Sequence, residues 1–440
     1  MRSLPIALLS LVSFVYAFPS FAVTDCLEPD LFDNTKFARI ACHPSASPSQ
    51  QLHRRQLPQP PSPESNAFIV DLNCTASTQL CTKVRDTFTK VGQEITAALE
   101  LVEPVRVNAS FFGFCARIGQ CANGATVPLG FAKVARLIPL KDRDGVTRLF
   151  PQSLLKQMQV TPRPDFAPYD IEAIFNEDVK YWFEGDGTMR SDQQDFHLTI
   201  LHELMHGLGF ASGWNDYAQS NLLLTPLPYY KSTTSAQLKI DAFLETVFDR
   251  AMYILTGDAR GNRVSELARA LNGFPNSTEA GTYASLSELY VALNASAHGA
   301  AGRQMLALAT TPKSLGLRVG RAVSNPNGFY ILETSFATYR PSSSISHCDY
   351  STFSNTRDFL MRYINDETIP VSQVVKKFGS TTALGPGLLG VLDAMGYKVK
   401  LPIDANTPTS GASNLSPAVV GYALSLLIIV HSLISVKRSS

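Results

Sequence analysis

His202 and His206 stand four residues apart, and Glu203 directly follows the first of them. On a helix, a spacing of four puts both imidazoles on one face, one turn apart, where they can grip a single ion. Neutral imidazole nitrogens suit Zn2+, and a catalytic zinc site takes three protein ligands and leaves one position open to water. A carboxylate beside the first ligand can take the proton of that water as it attacks a carbonyl, then pass it to the leaving amine. The chemistry these residues point to is peptide hydrolysis, with zinc as cofactor, Glu203 as the catalytic group and a peptide or protein as substrate. The plainer reading of the same residues is a buried helix that happens to carry two histidines.

A third ligand must come from elsewhere. Ser212 stands where the contiguous pattern HExxHxxGxxH places its last histidine, although Gly209 is present and can end the helix in a left-handed turn. His43 and His53 lie in or beside a Pro/Ser-rich stretch, His431 lies in the C-terminal tail, and His197 falls off the face shared by the pair. His298 and His347 remain as donors. Glu245 with Asp249 offers a carboxylate alternative on an expected helix, of the kind thermolysin-like enzymes use, against the reading of a solvated helix face.

The run His202, Glu203, His206, Gly209 and Phe210, then His347 within Pro341–Asp349, then Phe359-Leu360-Met361, resembles the metzincin clan of zinc peptidases, most closely its leishmanolysin-like branch. The resemblance implies His347 as a third ligand placed beyond an insertion, and Met361 as the methionine of a turn beneath the metal. The stretch Gly385–Tyr397 resembles the closing helix of secreted relatives. The layout covers residues 67–400, and only the two motif regions are specific. The sequence departs from the branch in the separation of His206 and His347, 141 positions, which is long. The fold implied is α+β and zincin-like: a twisted N-terminal sheet, the active-site helix, and a largely helical or irregular C-terminal subdomain. The competing function is a surface adhesion or binding protein that keeps this fold without catalysis.

Elements to carry such a site are legible. Phe68–Leu72 reads as a strand, and residues 81–101 as an amphipathic helix on Val84, Phe88, Val91 and Ile95. Val105–Phe114, Val134–Pro139 and Ile171–Asn176 read as strands, Pro162–Pro168 as a turn-rich connection, and Gln237–Leu271 mainly as helix. Strand, helix, strand, strand leading into the active-site helix suggests an α+β domain.

Composition sets the class. The chain has 440 residues, 45% of them hydrophobic and 17% charged, so it is globular rather than disordered. Lys plus Arg is 38 against 37 for Asp plus Glu, which gives no reason to expect a nucleic-acid partner. A positive start, an apolar run over Leu4–Tyr16 and small residues at Ala17 and Ala22 make residues 1–22 a secretion signal. Residues 23–66 read as a candidate pro-segment and Pro/Ser-rich linker, with Arg54-Arg55 as a processing site or simply two exposed arginines. Residues 67–400 are the peptidase domain and 401–416 a polar spacer. Residues 417–440 are a GPI-anchor signal, or alternatively a retained span. Either places the protein at a membrane on the extracellular side.

Seven cysteines fit that compartment, and an odd count leaves at least one unpaired. Cys74 with Cys81 and Cys115 with Cys121 are spaced to close small disulfide loops. Cys42 either caps the zinc as a pro-segment thiolate or pairs with Cys26, the pairing being favoured. Asn73, Asn108, Asn276, Asn294 and Asn414 head glycosylation sequons.

Overall fold

The computed structural model describes residues 25–42, 66–121, 128–232, 237–319, 328–365 and 368–400. The secretion signal, Arg54-Arg55, the spacer, the C-terminal tail, His43, His53, His431 and Asn414 lie outside them.

β1 (Asp25–Pro29) and β2 (Phe37–Ala41) form an antiparallel hairpin closed by the Cys26–Cys42 disulfide. β3 (Phe68–Cys74) leads into α1 (Thr78–Ala98). Ser77 caps α1 by accepting the Leu80 N–H at 3.3 Å, and Val84, Phe88, Val91 and Ile95 bury one stripe of it. β4 (Val105–Phe112) alternates, with Val105, Val107, Ala109 and Phe111 turned inward. Phe114, expected at the end of that strand, instead opens α2 (Phe114–Ile118).

β5 (Gly130–Val134), β6 (Leu137–Lys141), β7 (Thr147–Pro151), α3 (Gln152–Met158) and β8 (Ile171–Asn176) follow. One sheet has the order β3-β4-β8-β5, parallel except for β5, which runs antiparallel at the edge. A second has the order β2-β1-β6-β7. The single strand expected over Val134–Pro139 is therefore the junction between two sheets. Arg136 marks it, buried and donating from Nε and Nη2 to Glu28 Oε1 at 2.9 and 2.6 Å.

That pairing packs residues 25–42, the first part of the expected pro-segment, into the body of the protein. Cys26 and Leu27 are fully buried, Leu27 faces Leu137 across the sheet, and the hairpin belongs to the same core as the rest. Cys42 is bonded to Cys26, so no thiolate there caps a metal.

β9 (Tyr181–Trp182) and β10 (Gln194–Asp195) pair in parallel and deliver the chain to α4 (Phe196–Gly207). Asp195 caps α4, its Oδ1 accepting the N–H groups of His197 and Leu198. Phe196 locks the first turn among Phe111, Phe175, Tyr181 and Phe183, with ring centroids 4.6–5.7 Å away. Each such buried side chain contributes about 1.5–3 kcal/mol. The last turn of α4 seats directly on β8: a Cβ at Gly207 would lie 2.4 Å from Ile171 Cγ2.

The C-terminal half contains β11 (Leu227–Ser232), β12 (Leu238–Leu244), β13 (Met252–Ile254), α5 (Ser265–Leu271), α6 (Leu286–Ala295), α7 (Gly299–Ala309), β14 (Leu315–Arg318), β15 (Phe329–Ile331), α8 (Tyr350–Phe353), α9 (Val371–Lys377) and α10 (Pro386–Met395). The helix expected over Gln237–Leu271 is instead two strands, a 3-10 turn at Asp249–Ala251 and irregular chain, with α-helix only over Ser265–Leu271. β12 pairs antiparallel with β11, and β13 pairs with β14. Ile240, Phe243 and Leu244 satisfy helical spacing, but they are buried by cross-chain pairing, which local periodicity does not encode. The protein is thus mixed α and β, with sheets in both halves, and the C-terminal half is less helical than expected. Among the described residues no helix is long and apolar enough to cross a membrane.

Candidate metal centre

α4 presents His202, Glu203 and His206 to a cleft of about 920 Å3. His347 arrives on the loop between β15 and α8. The three Nε2 atoms form a triangle with every side 3.2 Å. Among the described residues, this is the one cluster of His, Cys, Asp or Glu able to share a metal ion. His197 and His298 are elsewhere: His197 Nε2 meets Glu94, and His298 Nδ1 meets the Ala270 carbonyl.

Each Nδ1 faces a backbone carbonyl: His202 that of Leu360 at 2.8 Å, His206 that of Phe210 at 2.7 Å, and His347 that of Ser343 at 3.2 Å. A carbonyl only accepts, so each Nδ1 carries the proton and each Nε2 presents a lone pair. Burial disfavours the imidazolium form, pushing His202 down to about 4, His206 down to about 3, and His347 well below its ordinary value. Three neutral lone pairs thus converge on one point. A tetrahedral ion with bonds of about 2.0–2.1 Å needs donors about 3.3–3.4 Å apart, so the residues fit zinc.

Glu203 is buried, and burial raises its carboxyl to about 8, opposed by the Ala132 N–H of edge strand β5. A dication nearby draws such a group back toward the ionised form.

Met361 is fully buried in the 3-10 turn Phe359–Met361. The turn touches both ligand segments: the Leu360 carbonyl accepts from His202, and the Met361 carbonyl accepts the Cys348 N–H at 2.8 Å. Asp358, just before it, accepts the Leu388 N–H at 3.0 Å and so docks α10 on the turn. Gly209 has φ +104° and lets the chain leave α4 against Pro151, whose Cγ would lie 2.5 Å from a Cβ there.

Glu245 and Asp249 do not join the centre. Both are buried rather than solvated, and neither sits on an α-helix. Glu245 Oε2 lies 3.4 Å from Arg148 Nε, and burial with the nearby Asp249 charge raises it to about 7. Asp249 accepts from Ser212 Oγ at 2.7 Å and from Gly213 and Thr246.

Disulfides join Cys74 to Cys81 and Cys115 to Cys121, and Cys348 is the buried free thiol. Of the sequons, Asn73 and Asn276 are exposed, and Asn294 is half-buried with its Oδ1 accepting from Arg303. Asn108 is half-buried in the central strand β4, its amide donating to Glu172 at 2.7 Å.

Sequence reasoning missed three contributors. The first is Asp195, which the capping rule could have found just ahead of the apolar run. The second is the set of carbonyls of Phe210, Ser343 and Leu360, which leaves no side-chain signal. The third is the N-terminal hairpin, whose connecting residues Pro29–Phe32 and Asn34 line the cleft. Asn34 Nδ2 donates to Ser342 Oγ at 3.0 Å, fastening the hairpin to the loop that carries His347.

Fold and site together define a mixed α/β protein with three histidines, two of them half-buried, clustered at the wall of a cleft. The model of the SPBPB7E8-like family matches residues 59–421, and the chain belongs to that family. It is similar to the uncharacterized protein PB7E8.01 of Schizosaccharomyces pombe, at 26% identity over 346 residues, 73% of this chain and 59% of that one. The chain therefore spans under two thirds of that relative's length. No solved structure matches.

Proposed function

We propose that the protein is a zinc-dependent endopeptidase working outside the cell. The observation that carries the reading is the 3.2 Å triangle of unprotonated Nε2 atoms on the helix that also presents Glu203. Three neutral acceptors in van der Waals range repel one another unless a cation takes their lone pairs. His202, His206 and His347 would hold zinc, which when bound supplies a Lewis acid for a polarised carbonyl and for water activation. Glu203 takes a proton from the attacking water and delivers it to the leaving amine. The Ala132 N–H holds that carboxylate at the cleft wall. β5, antiparallel at the sheet edge and lining the same cleft, offers a strand edge for an extended peptide.

The Gly209 turn, the distant His347 and the buried Met361 turn support a metzincin-like, leishmanolysin-like assignment of the zincin fold. Three disulfides suit an oxidising compartment. With the expected secretion signal and lipid anchor, they support a place at the cell surface.

The test is Glu203→Gln in the full chain, assayed on a broad fluorogenic peptide library with zinc measured by mass spectrometry. Zinc should stay and hydrolysis should fall by about 100-fold or more. A wild type that holds zinc without turnover would instead favour a binding protein, and full activity in the variant would remove Glu203 from the mechanism.

A further inference from the structure

Two chain segments supply the three imidazoles, and only tertiary contacts hold them in register. On the first, the residues after α4 run through Ser212, Gly213, Trp214 and Asn215. On the second, residues 339–347 lead into His347. A seam joins them. The Ser212 N–H donates to Ser346 Oγ at 3.2 Å, and Tyr339 Oη donates between the Trp214 carbonyl and Asn215 Oδ1, each at 3.2 Å. The first segment is fixed from behind by Asp249, which is fully buried. Its carboxylate takes Ser212 Oγ at 2.7 Å and the Gly213 N–H at 3.0 Å, and it is held in turn by the Thr246 N–H at 3.0 Å and Thr246 Oγ1 at 2.9 Å.

We infer that Asp249 is a positioning residue for the metal centre, acting through Ser212 and Ser346 to set the imidazole of His347 against those of His202 and His206. Ser212 occupies the place where a contiguous motif would carry its third histidine, and here it is the link that brings in a distant one. The relay runs Asp249 carboxylate, Ser212 hydroxyl and N–H, Ser346 hydroxyl, then the next residue, His347. Two hydrogen bonds carry the relay, both partly buried in the cleft wall, and the peptide bond from Ser346 to His347 completes it. Outer-shell groups of this kind orient metal ligands, and their loss typically costs about 10–100-fold in metal affinity. The inference rests on the zinc reading and goes beyond it by assigning residues that touch neither metal nor substrate.

The experiment is transfer of zinc from purified full-length protein to a chromogenic chelator, together with the visible spectrum of the cobalt-substituted protein. Ser346→Ala, Ser212→Ala and Asp249→Asn should release zinc about 10–100-fold faster than wild type and shift the cobalt bands. Ser346→Thr, which keeps a hydroxyl, should restore retention. Thr96→Val removes the buried hydroxyl that accepts the Ala67 N–H at 3.0 Å, outside the seam and the Asp249 carboxylate. It should lower the melting temperature while leaving zinc release and the cobalt spectrum unchanged. Wild-type release and spectra in folded Ser346→Ala and Ser212→Ala would overturn the inference, as would equal zinc loss in Thr96→Val. A wild type that takes up no zinc would sink the zinc reading, and this inference with it.

Discussion

The Glu94 carboxylate lies 2.6 Å from Nε2 of His197, tying the C-terminal part of α1 to the first turn of α4. Glu94 also accepts from Thr382 Oγ1 at 2.6 Å and from the Ala383 N–H, so the same group reaches the chain just before α10. Burial opposes both charges, but the contact outweighs it, and His197 is raised above 6.5 while Glu94 is lowered below 4.5.

A pH dependence follows with a definite sign. The His197 contribution is complete below pH 6.5 and is lost as pH rises through its raised value. The Glu94 contribution is complete above pH 4.5 and is lost as pH falls through its lowered value. The gap in melting temperature between wild type and Glu94→Gln should therefore be widest between pH 4.5 and 6.5 and narrow on both sides. Loss of a charged hydrogen bond there should cost about 2 kcal/mol. Calorimetry from pH 4 to 9 checks this, and a gap independent of pH would mean the two groups are not an ion pair.

Zinc content separates the competing third ligands. His347→Ala should bind zinc more weakly by more than the about 100-fold that outer-shell changes cost. Glu245→Gln should retain one zinc per chain, because Glu245 is engaged with Arg148. The opposite result would restore the thermolysin-like alternative.

Gly207→Ala should destabilise the protein by about 1–3 kcal/mol, since the added methyl has no room above Ile171. The paired variant Gly207→Ala with Ile171→Ala should lose less than the sum of the two single changes. Chemical denaturation of all four proteins measures that coupling, and strict additivity would show that α4 does not sit so close to β8.

The hairpin gives a prediction against its own removal. Replacing Cys26 and Cys42 by Ser opens a loop closed across 16 positions, a loss of about 3 kcal/mol. Deleting residues 25–42 should do more, because it uncovers β6 and takes away a wall of the cleft. Full stability and unaltered peptide preference in the deleted chain would return the segment to the role of a dispensable pro-segment.

Much of the centre was legible because its signals are local. The four-residue spacing of His202 and His206 needs only a helix, and the alternation in Val105–Phe111 needs only a strand. Elimination left His298 and His347, and resemblance chose between them, since the sequence neighbours of His347 say nothing of an imidazole 141 positions earlier. The strands β12 and β13 were misread as helix because pairing across the chain, not local period, decides them. Asp249 was misjudged for a related reason. An ExxxD pattern looks solvated on a helix, whereas here the carboxylate is fully buried and meets backbone N–H groups that no pattern announces.

The separation of His206 and His347 also has a consequence in time. A ribosome adding about 5–20 residues per second needs on the order of 10 s or more to travel from one to the other. During that interval the emerging chain owns two of its three imidazoles, and the third cannot be borrowed from nearby sequence. The three-imidazole cluster is thereby complete only after most of the polypeptide has been made, so its assembly waits on late-synthesised chain rather than on the helix that carries its first two members.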